Sequence, residues 1–279
     1  MTVGTPVREA LDGAITAISA AGCETPRLDA ELLFAHVLGV SRERLLTDRD
    51  LMVSGPDVRA VQNAVRRRAV QREPVAYITG RRAFRRLELV VDARALIPRP
   101  ETELLVELAL ASLPEGARVL DVGTGSGAIA LALADERPDL DVTGSDLSEG
   151  ALALARANGE RLGLRVQWLH ADLLAGAPDE YEAILSNPPY VAESERSSLE
   201  PEIVRHEPPG ALFAGADGLT VIRALLAQLA PRLRVRFTAL EHGADQAAEV
   251  TRLLRAAGFS DVRTARDLAG LPRVTAGRR

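Results

Sequence analysis

The chain reads as an α/β protein: a mostly parallel sheet covered by helices on both faces, preceded by a small helical domain and a short β connector. Three observations carry this reading. Apolar stripes with helical spacing fill the first ~70 residues. An imperfect alternation of apolar and polar residues follows within 83–97. From Glu101 onward, helical stretches alternate with short apolar strands, the order of a parallel sheet. With 279 residues, two unequal domains are expected, and the boundaries fall at 1–73, 74–98 and 99–279.

Taken in order, Thr5-Pro6 reads as a cap followed by a first helical position, with Val7, Leu11, Ala14, Ile15 and Ile18 on one face. Thr25-Pro26 repeats the device, with Ala30, Leu33, Phe34 and Val37 as the stripe and Gly39 as the stop. A third helix is predicted after Pro56, with Val58, Val61 and Val65 inward. These stripes are narrow and polar outside, as in a small bundle. In the connector, Leu87, Leu89 and Val91 alternate with Arg86, Glu88 and Val90. The predicted strands beyond it are Arg118–Val122, Asp141–Ser145, Arg165–Leu169, Ala183–Ser186 and Arg236–Leu240.

Composition excludes several classes. No apolar run approaches the ~20 residues of a membrane span, and the opening MTVGTPVREALDG lacks a leader pattern, so a cytoplasmic location is expected. One cysteine, Cys23, and four scattered histidines give little from which to build a metal site, and none is expected. The net charge is −5 and all 34 basic residues are arginine. Arg66-Arg67-Arg68 and Arg81-Arg82 are therefore read as solvated faces, and stable nucleic-acid binding is not expected.

The first motif that carries chemistry is Asp121-Val122-Gly123-Thr124-Gly125-Ser126-Gly127, between a strand and the helical stretch Ile129–Ala134. Glycine there lets a ligand approach the backbone, and the helix start behind it offers free N–H groups. Asp146, 19 residues past Gly127, ends the next strand, where a carboxylate can accept from both ribose hydroxyls of an adenosine. Asp172 is placed to approach an adenine edge, with Leu173 beside the ring; an aspartate there can also simply cap a turn. Gly123, Gly125 and Ala128 fit a dinucleotide pattern as well, so the loop alone does not choose its ligand. A glycine turn used only for tight packing is the plainer alternative.

The choice rests on Asn187-Pro188-Pro189-Tyr190, directly after the strand ending at Ser186 and 60 residues past Gly127. In a parallel sheet it shares the carboxyl edge with the glycine loop. The Asn187 side-chain oxygen and the Pro188 carbonyl can grip the two N–H groups of a planar amine or amide, orient its lone pair and stabilise the positive charge that develops there. Consecutive prolines bring no competing donor and hold Asn187 extended. Tyr190 offers a face for stacking. This suits methyl transfer from S-adenosylmethionine to a planar nitrogen, with Asn187, Pro188 and Tyr190 as candidate catalytic residues, and a dehydrogenase has no use for it. A proline turn with a buried tyrosine is the bland alternative.

From about Pro74 onward the chain resembles the peptide chain release factor glutamine methyltransferases (the PrmC/HemK family). The matching stretches are Tyr77-Ile78-Thr79-Gly80 with Phe84, Ile97-Pro98-Arg99-Pro100-Glu101-Thr102-Glu103, the glycine loop, Ser186-Asn187-Pro188-Pro189-Tyr190, Glu207-Pro208 and Arg273-Val274-Thr275. Asn-Pro-Pro-Tyr is shared with nucleic-acid amine methyltransferases; the segment around Arg99 is more particular. Residues 1–73 match less clearly, but a helical domain of this size is similar to the family's arrangement. The resemblance implies a class I (Rossmann-like) methyltransferase domain, with residues 1–73 recognising the substrate. It further implies that the substrate is the glutamine of the Gly-Gly-Gln tripeptide in class I release factors. By the same carry-over, Gly123, Thr124, Gly125, Ser126, Gly127, Asp146, Leu173 and Asn187 contact S-adenosylmethionine, while Asn187, Pro188, Pro189 and Tyr190 hold the glutamine.

Arg99 and Glu207 join the substrate-binding candidates. They also have structural readings: Arg99 pairing with Glu101 or Glu103 at a helix start that Thr102 caps, and Glu207 shaping a loop. The alternative function is an adenine or guanine amine methyltransferase acting on DNA or RNA, which would need a base-flipping surface. A nucleotide-binding module without catalysis is a further alternative, against which Asn187 and Tyr190 stand. One departure is visible: the family's Pro-Gly-Gly turn is replaced by Ala230-Pro231-Arg232-Leu233-Arg234-Val235-Arg236-Phe237, which leaves the pairing of the late strand open.

Overall fold

The computed structural model describes residues 4–279. The chain divides into two compact units, one of residues 1–81 with 200–206 and one of 82–199 with 207–279.

The first unit is built on helices α1 (Val7–Ala20), α2 (Pro26–Leu38), α3 (Arg42–Thr47), α4 (Pro56–Ala69) and α5 (Val75–Thr79). Ile18, Ala30, Leu33 and Phe34 are fully buried, and Val7, Leu11, Leu45, Val53, Val61 and Ile78 complete the core. α2 starts with Pro26 at its first position and stops at Gly39 in the left-handed region, as its sequence predicts, but the Thr25 side chain makes no capping bond and donates to Asp29 instead. Thr5-Pro6 departs from expectation. These residues form strand β1 (Thr5–Pro6), paired antiparallel with β2 (Met52–Val53), and Thr5 caps nothing. Of the third-helix stripe, Val61 is buried while Val58 and Val65 are partly so. α3 was not anticipated; its Ser41 cap accepts the Arg44 N–H at 3.2 Å.

Helix α9 (Pro201–His206) belongs to this unit although it lies far along the chain. Buried Arg68 donates to Asp29 at 2.6 Å and pairs with Glu202 at 2.9 Å. Arg72 donates to Glu202 at 2.5 Å and to the Ala21 carbonyl at 2.8 Å. Two of the arginines in this region are thus structural ties.

Along the chain there follow β3 (Arg81–Phe84) and β4 (Leu87–Val90), a two-stranded sheet in the predicted connector, with the second unit beginning at Arg82. A seven-stranded sheet follows, made of β5 (Arg118–Val122), β6 (Asp141–Asp146), β7 (Gln167–His170), β8 (Ala183–Ser186), β9 (Phe237–Glu241), β10 (Asp261–Arg266) and β11 (Pro272–Arg278). Its order is β10-β11-β9-β8-β5-β6-β7, parallel from β9 to β7, with β11 and β10 antiparallel. Strand bounds match at β5 and β8 and shift by one or two residues at β6, β7 and β9. The helices are α6 (Glu103–Leu110), α7 (Ala128–Glu136), α8 (Glu149–Leu162), α10 (Thr220–Leu229) and α11 (Ala247–Ala256). Leu120, Val122, Ile184 and Leu240 share a core with Ile222, Leu225 and Leu229 of α10 and Val250 and Leu254 of α11. Asp121 takes an N–H from Ala130 of α7, so by strand alternation α7 covers the other face.

The late strand pairs normally despite its missing glycines: β9 runs parallel to β8 and antiparallel to β11. Arginine donors hold the turn before it. Arg232 donates to the carbonyls of Leu174 and Ala177 at 2.7 and 3.1 Å, and Arg279 to that of Val235 at 2.7 Å.

Candidate active site

Order reverses between β5 and β8: from β5 the chain moves outward through β6 and β7, then returns to β8 on the other side. Ligands of open α/β sheets bind at the strand carboxyl ends beside such a switch point. Val122 and Ser186 are register partners and the last residues of these neighbouring strands. Gly123 and Asn187 therefore begin two adjacent loops, strands in one sheet lying ~4.8 Å apart.

A cleft of about 630 Å³ opens there, within the usual range for small-molecule sites. Gly123, Thr124, Gly125, Ser126, Asp146, Asp172, Leu173, Asn187, Pro188 and Pro189 line it. Of the other candidates, Gly127, Tyr190, Arg99 and Glu207 do not line it. A Cβ on Gly127 would meet Leu131 and Trp168 at 2.9 and 3.1 Å, so packing against α7 and β7 requires that glycine.

Asp146 supports the loop opposite it: Oδ2 accepts the Gly125 N–H at 2.9 Å and Oδ1 the Ser148 N–H at 2.8 Å. Each oxygen keeps a second lone pair for a ligand. Leu173 has φ 54°, a left-handed conformation rare outside glycine. The turn is held by Leu174, whose N–H donates to Gln228 and whose carbonyl accepts from Arg232. Asn158, fully buried on α8, donates to the carbonyls of Val90 and Ser126 and accepts the Val90 N–H, all at 2.8–3.0 Å. It staples the glycine loop to β4, a role no motif advertised.

The tetrapeptide is anchored from behind. Asn187 donates through Nδ2 to Thr102 Oγ1 at 3.0 Å. The Tyr190 hydroxyl donates to Glu241 Oε1 at 3.2 Å, and its carbonyl accepts from Gln246 at 2.9 Å. Gly218 permits that fit, since any Cβ there would collide with the Tyr190 carbonyl oxygen. Burial and the Glu241 carboxylate hold the Tyr190 phenol well above its ordinary range, so it remains a donor. Thr102 is not a cap, because no side-chain capping bond forms at that helix start. Arg99 pairs with neither Glu101 nor Glu103: it donates to buried Glu207 at 2.5 Å, and Glu207 also accepts the Ile97 N–H at 3.3 Å. The structure thus brings Arg99 and Glu207 together across 108 positions of sequence.

Residues 100–249 match the family described as the methyltransferase small domain, and residues 9–80 match the PrmC N-terminal domain. With the glycine loop and tetrapeptide on adjacent strand ends, this sheet is that of a class I methyltransferase. A release factor glutamine methyltransferase of Rhodospirillum rubrum is 41% identical over 273 residues, 96% of this chain and 84% of that one. The chain belongs to the release factor glutamine methyltransferase family. Two solved structures share its fold. The Mtq2–Trm112 complex of E. cuniculi, which methylates the termination factor eRF1, has a TM-score of 0.50 at 22% identity and covers 67% of this chain and 99% of its own. The rRNA guanine methyltransferase RsmC of T. thermophilus, in complex with AdoMet and guanosine, has a TM-score of 0.52 at 22% identity, covering 71% and 49%. No helix among the described residues is long and apolar enough to cross a membrane.

Proposed function

We propose that the chain methylates the side-chain amide nitrogen of the glutamine in the Gly-Gly-Gln motif of class I release factors, with S-adenosylmethionine as methyl donor. The observation that carries this is the fixed Asn187 amide at the mouth of β8, beside the glycine loop, in a chain of this family. When bound, the donor supplies a sulfonium-activated methyl group. The cleft residues fit it: Gly123 to Ser126 lie against its wall, Asp146 offers lone pairs to ribose hydroxyls, and Asp172 and Leu173 flank the place of the adenine.

The remaining chemistry belongs to this chain's own groups. With Nδ2 committed to Thr102, Asn187 presents Oδ1 as an acceptor. Oδ1 and the Pro188 carbonyl hold the two N–H groups of the glutamine, so its nitrogen faces the methyl and its growing positive charge meets two acceptors. Pro189 bounds the slot, and Tyr190 stands behind it, anchored to Glu241. No strong base is needed, since the methylated nitrogen sheds its proton readily to water. Arg99 and Glu207 neutralise each other and shape the loop carrying Pro208, Gly210 and Ala211, which line the cleft. The helical unit recognises the body of the release factor, because a tripeptide offers few contacts. The reaction takes place in the cytoplasm, where termination occurs.

Incubation with labelled S-adenosylmethionine, a purified release factor, DNA and rRNA together tests this. Peptide mass spectrometry should locate one methyl group on the Gly-Gly-Gln glutamine; label appearing only in nucleic acid overturns the assignment.

A further inference from the structure

The hairpin of β10 and β11 turns on the same edge of the sheet as the cleft. Ser186 of β8 is opposite Leu240 of β9, and Glu241 is opposite Val274 of β11, so Asn187 and Val274 stand at one height on the carboxyl edge. β11 runs against β9, and the turn 267–271 that joins β10 to β11 therefore projects past that edge. At ~3.3 Å per residue it rises ~10 Å beyond Asn187, and two strand spacings put it ~10 Å to the side. A stable interface covers ~800 Å² of each partner, a patch of ~16 Å radius. A protein seated on the cleft mouth thus reaches this turn.

The turn is rigid and its apex is apolar. The Asp267 N–H donates to the Leu271 carbonyl and the Gly270 N–H to that of Asp267, both at 2.9 Å. Asp267 Oδ1 accepts the N–H groups of Ala269 and Leu271 at 2.9 Å, and Oδ2 accepts from Arg273 at 2.9 Å. Arg266 donates to the Gly270 carbonyl at 2.7 Å. Between these braces Leu268 is fully exposed, the most exposed large apolar side chain among the described residues, and Leu271 is 44% exposed. A lone surface leucine signifies little. Here two of them crown a turn held by six hydrogen bonds, beside the cleft, where a polar apex would serve the fold as well. An apolar anchor held in place before binding loses little freedom on contact, the property of residues that dominate interfaces. Arg266 next to it has no acid partner among the described residues and keeps donors for one.

We infer that the 267–271 turn is a docking surface of the catalytic unit for its protein substrate. Leu268 and Leu271 seat in an apolar socket, rimmed by a carboxylate that meets Arg266, on the release-factor domain that carries the Gly-Gly-Gln loop. The contact fixes how that loop enters the cleft. This rests on the reading of a release factor as substrate.

The test uses the full-length enzyme. Leu268→Asp should raise KM for the whole release factor tenfold or more, the loss expected for one leucine anchor. The rate at saturating release factor and the Kd for S-adenosylmethionine should stay within about twofold, since a remote contact that only tethers substrate acts on KM. Leu268→Met should behave as wild type. Leu233 is the control: it is 70% exposed on the turn before β9, at the opposite edge of the sheet, and Leu233→Asp should leave KM unchanged. A benzophenone amino acid placed at position 268 should cross-link, on illumination, to the domain bearing Gly-Gly-Gln, as mapped by peptide mass spectrometry. If that cross-link forms but the release factor gains no methyl group, the docking surface stands and the substrate reading falls. Normal methylation with an unchanged KM in Leu268→Asp overturns the docking surface. So does a cross-link confined to another domain or to a second copy of this chain.

Discussion

Replacing Asp121 by asparagine should remove a large pH dependence from the stability of this protein, with a definite sign. Asp121 is completely buried beneath the glycine loop. Its Oδ2 accepts from Thr124 Oγ1 at 2.6 Å and from the Ala130 N–H at 3.3 Å, while Oδ1 has no partner. Burial pushes its pKa from an ordinary 3.8 to about 7; the two hydrogen bonds oppose the rise and Asp146 adds to it. Between pH 4 and 7 the folded chain holds a proton that the unfolded chain has lost. The contribution is therefore full below about pH 4 and lost as the pH rises through 7. A carboxyl moved that far corresponds to ~4 kcal/mol, and relaxation of the surroundings leaves ~2–4 kcal/mol. The replacement side chain would keep an acceptor for Thr124 and Ala130 and cannot ionise, at the expense of an unpaired amino group costing ~1–3 kcal/mol at every pH. In urea titrations at pH 5, 7 and 9, Asp121→Asn should gain ~1–3 kcal/mol on the wild type between the extremes, the rest of the contribution being lost already below pH 5. A difference constant across that range would show that Asp121 is not the buried acid described.

Asn187→Ala should keep most cofactor binding by calorimetry yet slow single-turnover methyl transfer ~100-fold or more; normal turnover would remove the acceptor role. Asp146→Ala should weaken S-adenosylmethionine binding, because it removes both the ribose acceptors and the support of the Gly125 N–H; unchanged affinity would place the ribose elsewhere. Asn158→Leu orphans backbone groups of Val90 and Ser126 and should cost ~3 kcal/mol in urea unfolding; a neutral substitution would deny the staple. Arg68→Ala leaves buried Asp29 without its cation and takes one of two arginines from Glu202, and should destabilise the helical unit by ~3–5 kcal/mol, seen as early loss of amide-exchange protection in α2 and α4.

What the sequence showed and what it hid divide along the range of the interactions. The strand–glycine–helix unit at 118–136 and the tetrapeptide after Ser186 are local patterns, and the structure places them as read. β7 slipped because it is an edge strand with its residues half-exposed, so its alternation is faint. Thr5-Pro6 has the local signature of a cap, but its pairing with Met52–Val53 is set from a distance. Thr102 lies 85 positions from Asn187, and Tyr190 lies 51 from Glu241. Sheet order creates such pairs, and spacing along the chain cannot reveal them. Arg99 is the instructive case: two nearby acids were the obvious partners, and a distant one took its place. Likewise, the turn at 230–237 forms without glycine, with Arg279 meeting its Ala230 and Val235 carbonyls and Arg232 tying it to the carbonyls of Leu174 and Ala177.

The membership of α9 in the helical unit sets a schedule for the nascent chain. Five helices of that unit leave the ribosome early, but Arg68 and Arg72 meet Glu202 only after about 130 further residues have been made. At common elongation rates this is a wait of roughly 6–26 s. During it a buried arginine has Asp29 alone for company and the unit is unfinished. Its completion is tied to the emergence of a stretch that begins ten residues after Tyr190. The same interleaving means that exchanging this unit between relatives takes two grafts: residues 200–206 must travel with the N-terminal helices, or the arginines arrive without their acid.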